Sequence, residues 1–345
     1  MTDRAGPATG ESMKNVRWGL LSTAAIGETV LRATKSSLHT QFVAVASRDA
    51  SRARDFAHRN GLPRSFDSYE AMLDSDEIDA VYVALPVSMH TEWTINALHA
   101  GKHVLCEKPC ATGAADAKRC HDAADIRGLL CVEGLMYRHH PWTVLARKLV
   151  EEGAIGGLSY VRAALSVTVD THDIRRTRSL GGGSLLDLGC YCASAMRLFA
   201  GEPDRVYAER VLDSGNDPVD LRMAATLHFP HDVLAQFDIG LDLVRRDELE
   251  IIGTRGKIIV DDPWLCRSRT IEVWRDGRME EVPVSLANVG EDDDAVYRLE
   301  LDRVSAAVMG GCASLLFGRD DAVKQAALLE ALMESCQMSE PVRIT

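Results

Sequence analysis

Lys108 is the residue whose surroundings most clearly suggest chemistry, because it follows a predicted β-strand, His103–Glu107, and precedes a proline. A helix-length segment, Met89–Ala100, joins this strand to an earlier apolar strand, Ala80–Leu85. In an open parallel sheet, ligands bind at the carboxyl ends of the strands, which is where Lys108 would lie. The proline also disfavours helical backbone at Lys108. A lysine held there can place a positive charge beside a reacting hydroxyl or carbonyl group; the alternative is a solvated lysine at a strand end.

The segment 181–191 offers a partner for this lysine, since it runs from three glycines through Ser184 to Asp187 and Tyr191. Asp187 and Tyr191 are four residues apart, so they are expected on the same face of a helix. A tyrosine beside a lysine can donate or accept a proton, because the cation favours the phenolate. A structural alternative also fits, in which Ser184 and Asp187 form a capping motif at the start of a helix predicted over Ser184–Ala200.

The first predicted strand, Val16–Ser22, leads into a helix through a degenerate dinucleotide-binding turn. Ser22, Ala24 and Gly27 stand at the three small positions of the G-x-G-x-x-G pattern. Small residues there allow backbone amides and the helix N-terminus to approach a pyrophosphate. We therefore predict dinucleotide contacts from four residues of the turn: Thr23, Ala24, Ala25 and Ile26.

The second predicted strand ends at Ser47, which is followed by Arg48 and, about one turn into the next helix, by Arg52. An acidic residue at this strand end typically binds the ribose 2′-hydroxyl of NAD. A hydroxyl together with guanidinium groups suits the additional 2′-phosphate of NADP, in both charge and geometry. We therefore predict an NADP site, with NAD possible; a solvated arginine at a helix start is the structural alternative.

The composition is that of an ordinary globular protein of 345 residues, with 46% hydrophobic and 26% charged residues. No apolar stretch is long enough to span a membrane. The formal net charge of −12 disfavours nucleic-acid binding, which needs a basic surface. The nine cysteines show no C-x-x-C spacing, so we expect reduced thiols in a cytoplasmic protein. His139 and His140 lack further ligands at metal-binding spacing, so we predict no metal site.

The order of predicted elements indicates two domains. Strands alternate with helices from Val16 to about Arg138, which is typical of a doubly wound parallel sheet of the Rossmann type. After a linking helix at 141–152, several strands follow one another without helices, which indicates a large open, mostly antiparallel sheet. The predicted class is α/β plus α+β: a disordered head at 1–13, with Met13 as an alternative start, a Rossmann dinucleotide-binding domain at 14–138, and a substrate-binding and oligomerisation domain at 139–345. Tail helices at 294–309 and 319–335 are expected to pack back across both domains.

Taken together, these residues resemble the Gfo/Idh/MocA oxidoreductases. Glu107-Lys108-Pro109 after a degenerate dinucleotide turn, then three glycines and Asp187-x-x-x-Tyr191, have the order and spacing of that family over nearly the whole chain. The segment 133–141 and Asp173-Ile-Arg175 strengthen the resemblance, towards the branch of pyranose or xylose 1-dehydrogenases, dihydrodiol dehydrogenases and 3-ketosugar reductases. Many members have histidine where this chain has Tyr191, so a histidine-based mechanism is not carried over.

The resemblance implies a site between the two domains. Lys108 and Tyr191 would flank the reacting carbon, with Asp187 orienting the substrate or the tyrosine, and Tyr137 would also contact the substrate. Glu107 would contact the cofactor or Lys108. The further residues implied in cofactor contact are Leu85, Pro86 and His90 on the nicotinamide side and Lys108 itself. Arg138 and Arg175 are implied in contact with the cofactor or the substrate.

The resulting hypothesis is an NADP-dependent oxidoreductase that transfers a hydride between nicotinamide and a CH–OH or C=O group of a sugar or polyol. Tyr191 would exchange the hydroxyl proton, Lys108 would lower the tyrosine pKa, and the loop Gly181–Gly183 would let the substrate close against the helix. The loop Val169–Ser179 has the composition of a site for a polyhydroxylated or anionic substrate, or of a solvated loop. Alternatives are a dihydrodiol-type dehydrogenase acting on a non-sugar diol and a non-catalytic regulator that senses a dinucleotide. The resemblance also implies a homodimer or homotetramer.

Overall fold

Residues 15–286, 289, 293–311 and 317–344 are described by the computed structural model of this chain. The predicted disordered head at 1–13 and one of the cysteines expected to be reduced, Cys312, lie outside these residues. Two β-sheets organise the described part of the chain, one in each predicted domain.

The first sheet has six parallel strands in the order β3-β2-β1-β4-β5-β6. Its strands are β1 (Val16–Leu21), β2 (Thr40–Ala46), β3 (Arg64–Phe66), β4 (Ala80–Val83), β5 (His103–Glu107) and β6 (Cys131–Gly134). The helices that alternate with them are α1 (Ala25–Ala33), α2 (Ala50–Asn60), α3 (Tyr69–Leu73), α4 (His90–His99) and α5 (Ala114–Arg127). The predicted Rossmann-type sheet is confirmed. Its strand order reverses between β1 and β4, where such sheets open a crevice at the carboxyl ends of the strands.

Burial and capping explain why these segments form these elements. β4 reads Ala-Val-Tyr-Val and is buried at every residue, as a parallel strand covered by helices on both faces requires. α2 begins where the Asp49 carboxylate accepts the amides of Ser51 and Arg52, at 2.9 and 3.1 Å. It ends at Gly61, whose φ of 66° lies in the left-handed region that glycine favours. The cap at Asp49 fixes the loop that follows β2.

A linking helix, α6 (Pro141–Glu151), leads to a second sheet of nine strands in the order β14-β13-β12-β11-β7-β10-β9-β8-β15. Its strands are β7 (Leu158–Thr168), β8 (Arg205–Leu212), β9 (Asp220–Phe229), β10 (Val233–Gly240), β11 (Asp242–Gly253), β12 (Gly256–Asp261), β13 (Thr270–Arg275), β14 (Arg278–Pro283) and β15 (Val342–Arg343). β7 and β10 pair in parallel, and the other neighbouring pairs are antiparallel. The mostly antiparallel sheet is confirmed, with β14 as an addition to the predicted strands.

The helix predicted over 184–200 consists of two parts, a π-helical turn, Leu185–Gly189, and an α-helix, α7 (Cys190–Ala200). Ser184 does not cap it, because its hydroxyl donates to Asp220 Oδ2 at 2.7 Å. The capping alternative for Ser184 and Asp187 is therefore wrong, and the carboxylate of Asp187 is available for another role. π-helical turns occur frequently at functional sites.

Two tail helices, α8 (Ala295–Val308) and α9 (Arg319–Met338), pack against both sheets. α8 buries Leu301 in the core of the first sheet. α9 places Ala326 in the core beneath the other face of that sheet and Leu332 in the core of the second sheet. The tail thus connects the two sheets and brings one end of α8 to the crevice.

All eight described cysteines are free thiols, and seven of them are buried. Among the residues that the structure describes, no helix is long and apolar enough to cross a membrane.

Candidate active site

A cavity of about 990 Å³ lies between the two sheets, at the carboxyl ends of β1, β2, β4 and β5. It is at the upper end of the range of ligand pockets, about 300–1,000 Å³. It therefore has room for a large ligand such as a dinucleotide. The predicted site residues that line it are Thr23, Ala24, Ala25, Ile26, Ser47, Arg48, Arg52, Leu85, Pro86, His90, Glu107, Lys108, Arg175, Asp187 and Tyr191.

The turn between β1 and α1 forms one end of the cavity. Ser22 has a φ of 113°, a backbone conformation that glycine favours, which explains why glycine is usual at this position. Its hydroxyl accepts a hydrogen bond from the Ala24 amide at 3.0 Å. A Cβ atom on Gly27 would lie 2.5 Å from a methyl group of Leu20, so glycine lets α1 pack this closely on β1 without a shift of that side chain. Ala24 offers no side-chain cap, which leaves the first amides of α1 for an anion such as a pyrophosphate.

The loop after β2 forms another part of the same end. Ser47 is buried, and its hydroxyl accepts the Asp49 amide at 3.2 Å. The carboxylate of Asp49 is engaged by the start of α2, as described above. Arg48 and Arg52 line the cavity. The end of β2 therefore presents a hydroxyl and two guanidinium groups, which is a donor set that fits a phosphate.

Lys108 ends β5 and reaches across the cavity to the second sheet's side. Its Nζ donates to Asp187 Oδ1 at 2.8 Å and to the Asp187 carbonyl oxygen at 2.6 Å. The Lys108–Pro109 peptide bond is cis. Burial by itself lowers the pKa of Lys108, but the Asp187 carboxylate, together with Cys190 and Glu107, outweighs burial, and the net pKa lies above the ordinary lysine value. Lys108 is therefore a fixed ammonium group at neutral pH.

The Asp187 carboxylate is shared with an arginine. Arg175 Nη1 lies 3.6 Å from Asp187 Oδ2. The same guanidinium forms a bidentate pair with Asp173, through Nε at 2.9 Å and Nη2 at 2.8 Å. Asp187 Oδ2 is buried and has no hydrogen-bond partner among the described residues. The carboxylate is thus held between two cations, with one oxygen only loosely engaged.

Tyr191 follows the π-helical turn and lies beside Lys108. Lys108 Nζ is 4.9 Å from the centroid of the tyrosine ring, while the tyrosine hydroxyl donates to Met136 Sδ at 3.3 Å. Burial raises the pKa of Tyr191 well above its ordinary value. The prediction that the pKa of Tyr191 is lowered is wrong for the present geometry, because burial dominates. The Lys108 ammonium lies against the ring face, and two of its N–H groups donate to Asp187. Tyr191 is a neutral phenol here.

Glu107 and His90 support the segment that carries Lys108. Glu107 accepts the Lys108 amide at 3.2 Å and the hydroxyl of Tyr82. The two ring nitrogens of His90 lie 2.8 Å from the Pro109 carbonyl oxygen and 2.7 Å from that of Leu85. His90 borders the cavity as predicted, but its polar atoms are used to join the loops after β4 and β5.

Tyr137 and Arg138 are predicted ligand-binding residues that the structure does not place on the cavity. They lie on a 3₁₀ turn after β6, and both side chains are buried. The Tyr137 hydroxyl forms a hydrogen bond of 2.5 Å with the Ser194 hydroxyl. Arg138 Nε donates to the Ser194 hydroxyl at 2.8 Å. Arg138 also forms an ion pair with Asp321. Both side chains find their partners within the protein, so direct ligand contact is wrong for this geometry.

The three glycines serve the protein's own packing. A Cβ atom on Gly181 would lie 2.7 Å from Cβ of Val87, and one on Gly182 would lie 2.5 Å from the Arg175 carbonyl oxygen. Gly181 and Gly182 do line the cavity. Glycine is required at these positions because larger residues would clash with Val87 and with the Arg175 backbone. The glycines are therefore explained by packing within the protein and not by the predicted close approach of a substrate.

Several cavity residues were outside the sequence prediction. Tyr297 comes from α8, and burial raises its pKa. Asp173 is in the predicted specificity loop but had no assigned role, and its pairing with Arg175 follows from the turn it starts. Tyr69 and Asp49 line the end near Arg48. The spacing of motifs gives no signal for Tyr297, because only the packing of the tail brings it to the crevice. Within the described residues, no group of three or more potential ligands could hold a metal ion.

The fold and the cavity together define a nicotinamide-dependent oxidoreductase: a doubly wound sheet with a dinucleotide turn, and a fixed ammonium beside a phenol at its switch point. Residues 16–135 match the family model described as "Oxidoreductase family, NAD-binding Rossmann fold", and residues 143–259 match the GFO/IDH/MocA C-terminal domain. The chain belongs to the Gfo/Idh/MocA family of oxidoreductases.

Three similar proteins are named for different substrates. D-xylose 1-dehydrogenase (NADP(+)) 2 of Haloferax volcanii is 33% identical over 335 residues, covering 95% of this chain and 99% of that protein. Trans-1,2-dihydrobenzene-1,2-diol dehydrogenase of Bos taurus is 33% identical over 276 residues, or 78% and 80% of the two chains. A crystal structure of a 3-ketoreductase from Actinomadura kijaniata with NADP and TDP-benzene has a TM-score of 0.83 at 29% identity, covering 93% and 98% of the chains.

Proposed function

We propose that this protein is an NADP-preferring dehydrogenase or reductase that acts on a secondary alcohol or carbonyl group of a sugar or polyol. The observation that carries the proposal is the Lys108 ammonium, held by Asp187 in a cavity that continues to the Arg48 end. The NADP-dependent xylose dehydrogenase and the 3-ketoreductase similar to this chain support the choice of cofactor and of substrate.

The cavity residues fit the cofactor. The first amides of α1 would hold the pyrophosphate, and Ser47, Arg48 and Arg52 would hold the 2′-phosphate. Leu85 and Pro86 would lie against the nicotinamide ring. When bound, the nicotinamide accepts or supplies the hydride.

Lys108 and Asp187 would bind and polarise the reacting oxygen. Two of the three N–H groups of Lys108 are used by Asp187, which leaves one for a substrate oxygen. A partly buried positive charge within hydrogen-bond reach of that oxygen stabilises the negative charge that develops on it. Asp187 favours the charged form of Lys108, and its two hydrogen bonds hold the Nζ atom in place.

Tyr191 would exchange the proton of the substrate hydroxyl. Its hydroxyl now donates to the sulfur of Met136, a weak acceptor, so a substrate oxygen can compete for it at little cost. The neutral phenol found here suits the reduction direction, in which a proton is donated to the developing alkoxide.

A cofactor and substrate panel tests the proposal. Purified protein is mixed with NADP⁺ or NAD⁺ and xylose, glucose or other aldoses and polyols, and with NADPH and ketosugars, while nicotinamide absorbance is followed. We expect turnover with at least one sugar and a higher kcat/KM for NADP than for NAD. If no sugar in either direction changes the absorbance, the proposed function is wrong.

A dihydrodiol-type activity on a non-sugar diol is the second candidate. The similarity to the Bos taurus enzyme supports it, and so do the apolar side chains at the substrate end of the cavity, Val87, Ile174 and Leu180. An alicyclic 1,2-diol included in the panel separates the two, since a kcat/KM above that of every sugar would favour this candidate. We favour an enzyme over a dinucleotide-sensing regulator, because the cavity keeps Lys108 and Tyr191 together.

We further propose a cytoplasmic homodimer or homotetramer. The free thiols support a reducing compartment. A shallow depression on the second sheet, lined by Arg162, Tyr207 and Phe237 among others, supports association through that face. Light scattering during size-exclusion chromatography measures the mass, and a monomer at micromolar concentration would exclude the assembly.

A further inference from the structure

We infer that the substrate is electrically neutral, so that a free sugar, polyol or diol is used and a sugar phosphate, sugar acid or nucleotide-linked sugar is not. This inference rests on the proposed function and narrows its substrate class. It separates the chain from the dTDP-sugar reductases to which it is also similar, such as the one of Streptomyces violaceoruber at 36% identity over 254 residues.

The inference begins with the cations that face the cavity. Among the described lining residues, the arginine and lysine side chains are Arg48, Arg52, Lys108 and Arg175. The first two lie at the end of β2 and are assigned to the cofactor. The internal residues outside the described part, 287–288, 290–292 and 312–316, include no lysine, arginine or histidine. Among the residues that the structure describes, Lys108 and Arg175 are thus the cations positioned to meet a charged substrate.

Both of these cations already have anionic partners. Lys108 is bonded to Asp187 at 2.8 Å. Arg175 donates to Asp173 through both Nε and Nη2, and its Nη1 lies 3.6 Å from Asp187 Oδ2. Two carboxylates therefore balance two cations at the substrate end of the cavity, and no positive charge is left over for a phosphate or carboxylate.

The other arginines of the loop 169–179 do not change this balance. Arg178 lies 3.9 Å from Asp217, and neither residue lines the cavity. Arg176 does not line the cavity either. Arg162, close in sequence, lies in the separate depression on the second sheet. The arginines that suggested an anionic ligand therefore either do not line the cavity or are paired with carboxylates there.

The two ligand classes would meet very different surroundings. An anionic group near Arg175 would face Asp173 and Asp187, and like charges at such distances disfavour binding unless an ion pair is first broken. Hydroxyl groups can donate to the same carboxylates and accept from Lys108 and from the phenols of Tyr191 and Tyr297. A polyhydroxylated neutral molecule uses every one of these groups without separating a pair.

The test compares glucose with three anionic relatives of it: glucose 6-phosphate, glucuronate and thymidine diphosphate glucose. Each is assayed with NADP⁺ beside xylose, and kcat/KM is compared. We expect the better neutral sugar to exceed every anionic probe by about tenfold or more, as one unfavourable charge contact costs on the order of 1.4 kcal/mol. An anionic probe that matches or exceeds both neutral sugars would overturn the inference while leaving the proposed oxidoreductase function intact. If neither class is turned over, the proposed function and this inference fail together.

A charge-releasing variant tests the reason for the preference. Asp173→Asn keeps an oxygen that can accept from the Arg175 amide, as Asp173 Oδ1 does now at 2.9 Å. It removes the carboxylate that pairs with both Nε and Nη2 of the guanidinium and leaves Asp187 at 3.6 Å as the anionic neighbour. The ratio of kcat/KM for glucuronate to that for glucose should then rise several-fold. Asp217→Asn is the matched control, because it removes the partner of Arg178 outside the cavity. An unchanged ratio in Asp173→Asn, or an equal rise in Asp217→Asn, would contradict the pairing argument.

Discussion

Lys108 and Arg138 are both cations with a carboxylate partner, the first partly buried and the second buried, and they follow neighbouring strands of the first sheet, β5 and β6. Lys108 pairs with Asp187 and lines the cavity. Arg138 pairs with Asp321, and its side chain is only 2% exposed. The same kind of pair therefore occurs twice within one region of the fold, but only one of the two faces space for a ligand.

The difference lies in how completely each cation is satisfied by the protein. Arg138 also donates to Ser194 at 2.8 Å, and the ring of Phe317 covers its guanidinium at 4.3 Å. Asp321 is shared with a second arginine, Arg197, at 3.1 Å. Lys108 retains one N–H for a ligand. A buried ion pair thus indicates function when a cavity gives it an unused donor, and indicates structure when its donors are used within the protein.

The largest effect is expected from Lys108→Ala. Loss of the ammonium removes the charge that stabilises the developing oxyanion, so kcat/KM should fall by about 10³-fold. The dissociation constant for NADP, measured by fluorescence titration, should change little. Lys102→Ala is the matched control, since this buried lysine precedes β5 and donates to the carbonyl oxygens of Ser75 and Ile78, outside the cavity. An equal loss of kcat/KM in Lys102→Ala would show that the effect does not depend on the position of Lys108 in the cavity.

Arg138→Ala should show the opposite pattern. Removing one partner of a buried pair leaves Asp321 less compensated, so the free energy of unfolding should fall by about 3 kcal/mol. Urea unfolding measures this, and kcat per folded molecule should stay near that of the wild type. Arg119→Ala, which removes the exposed pair with Asp116, is expected to cost less than about 1 kcal/mol. A stable but inactive Arg138→Ala protein would place Arg138 in the catalytic machinery after all.

The third comparison is between the two phenols of the cavity. Tyr191→Phe should lower kcat by about 10²-fold, because it removes the group that exchanges a proton with the substrate. Tyr297→Phe should lower kcat only a few-fold, since Tyr297 is assigned to hydroxyl binding alone. Steady-state kinetics on the best sugar measures both. A reversed order would assign proton exchange to the tail helix α8.

The smallest effect at neutral pH is expected from Asp187→Asn, and it should grow as the pH rises. In the wild type, Asp187 keeps the pKa of Lys108 above its ordinary value, so the lysine stays charged well into the alkaline range. Without the carboxylate, burial is opposed less strongly and the pKa of Lys108 falls relative to the wild type, so the charged form is lost at lower pH. The alkaline limb of the pH profile of kcat/KM should therefore move to lower pH. A profile that keeps its shape would show that Asp187 does not set the charge of Lys108.

Features that depend on local order along the chain were predictable from the sequence. The parallel sheet follows from strands alternating with helices, and the cavity residues at the ends of β1, β2, β4 and β5 follow from the rule that ligands bind at these ends. Ser22 was placed at a glycine position, and its φ of 113° agrees with that assignment. The order of motifs also predicted that Lys108 lies beside Asp187 and Tyr191, and the structure brings these three residues together.

Features that depend on distant packing were not predictable. Arg138 follows a strand end as Lys108 does, and only the position of α9 explains why it is sealed from the cavity. Tyr297 reaches the cavity through the packing of the tail. β14 is an exposed edge strand with little apolar alternation, so periodicity misses it. Its Asp276-Gly277 turn, with both φ angles positive, is a hairpin signal that could have found it.

The most direct measurement follows a single turnover in the wild type and in Lys108→Ala. Each protein is preloaded with saturating NADP⁺ and mixed rapidly with saturating sugar, and the appearance of reduced nicotinamide is recorded by absorbance. Because both ligands are saturating, the observed rate reports the chemical step rather than binding. We predict a slower rate in the variant by about 10³-fold with the same final amplitude per folded site. Equal rates in the two proteins would contradict the assignment of Lys108 as the cation that activates the substrate oxygen.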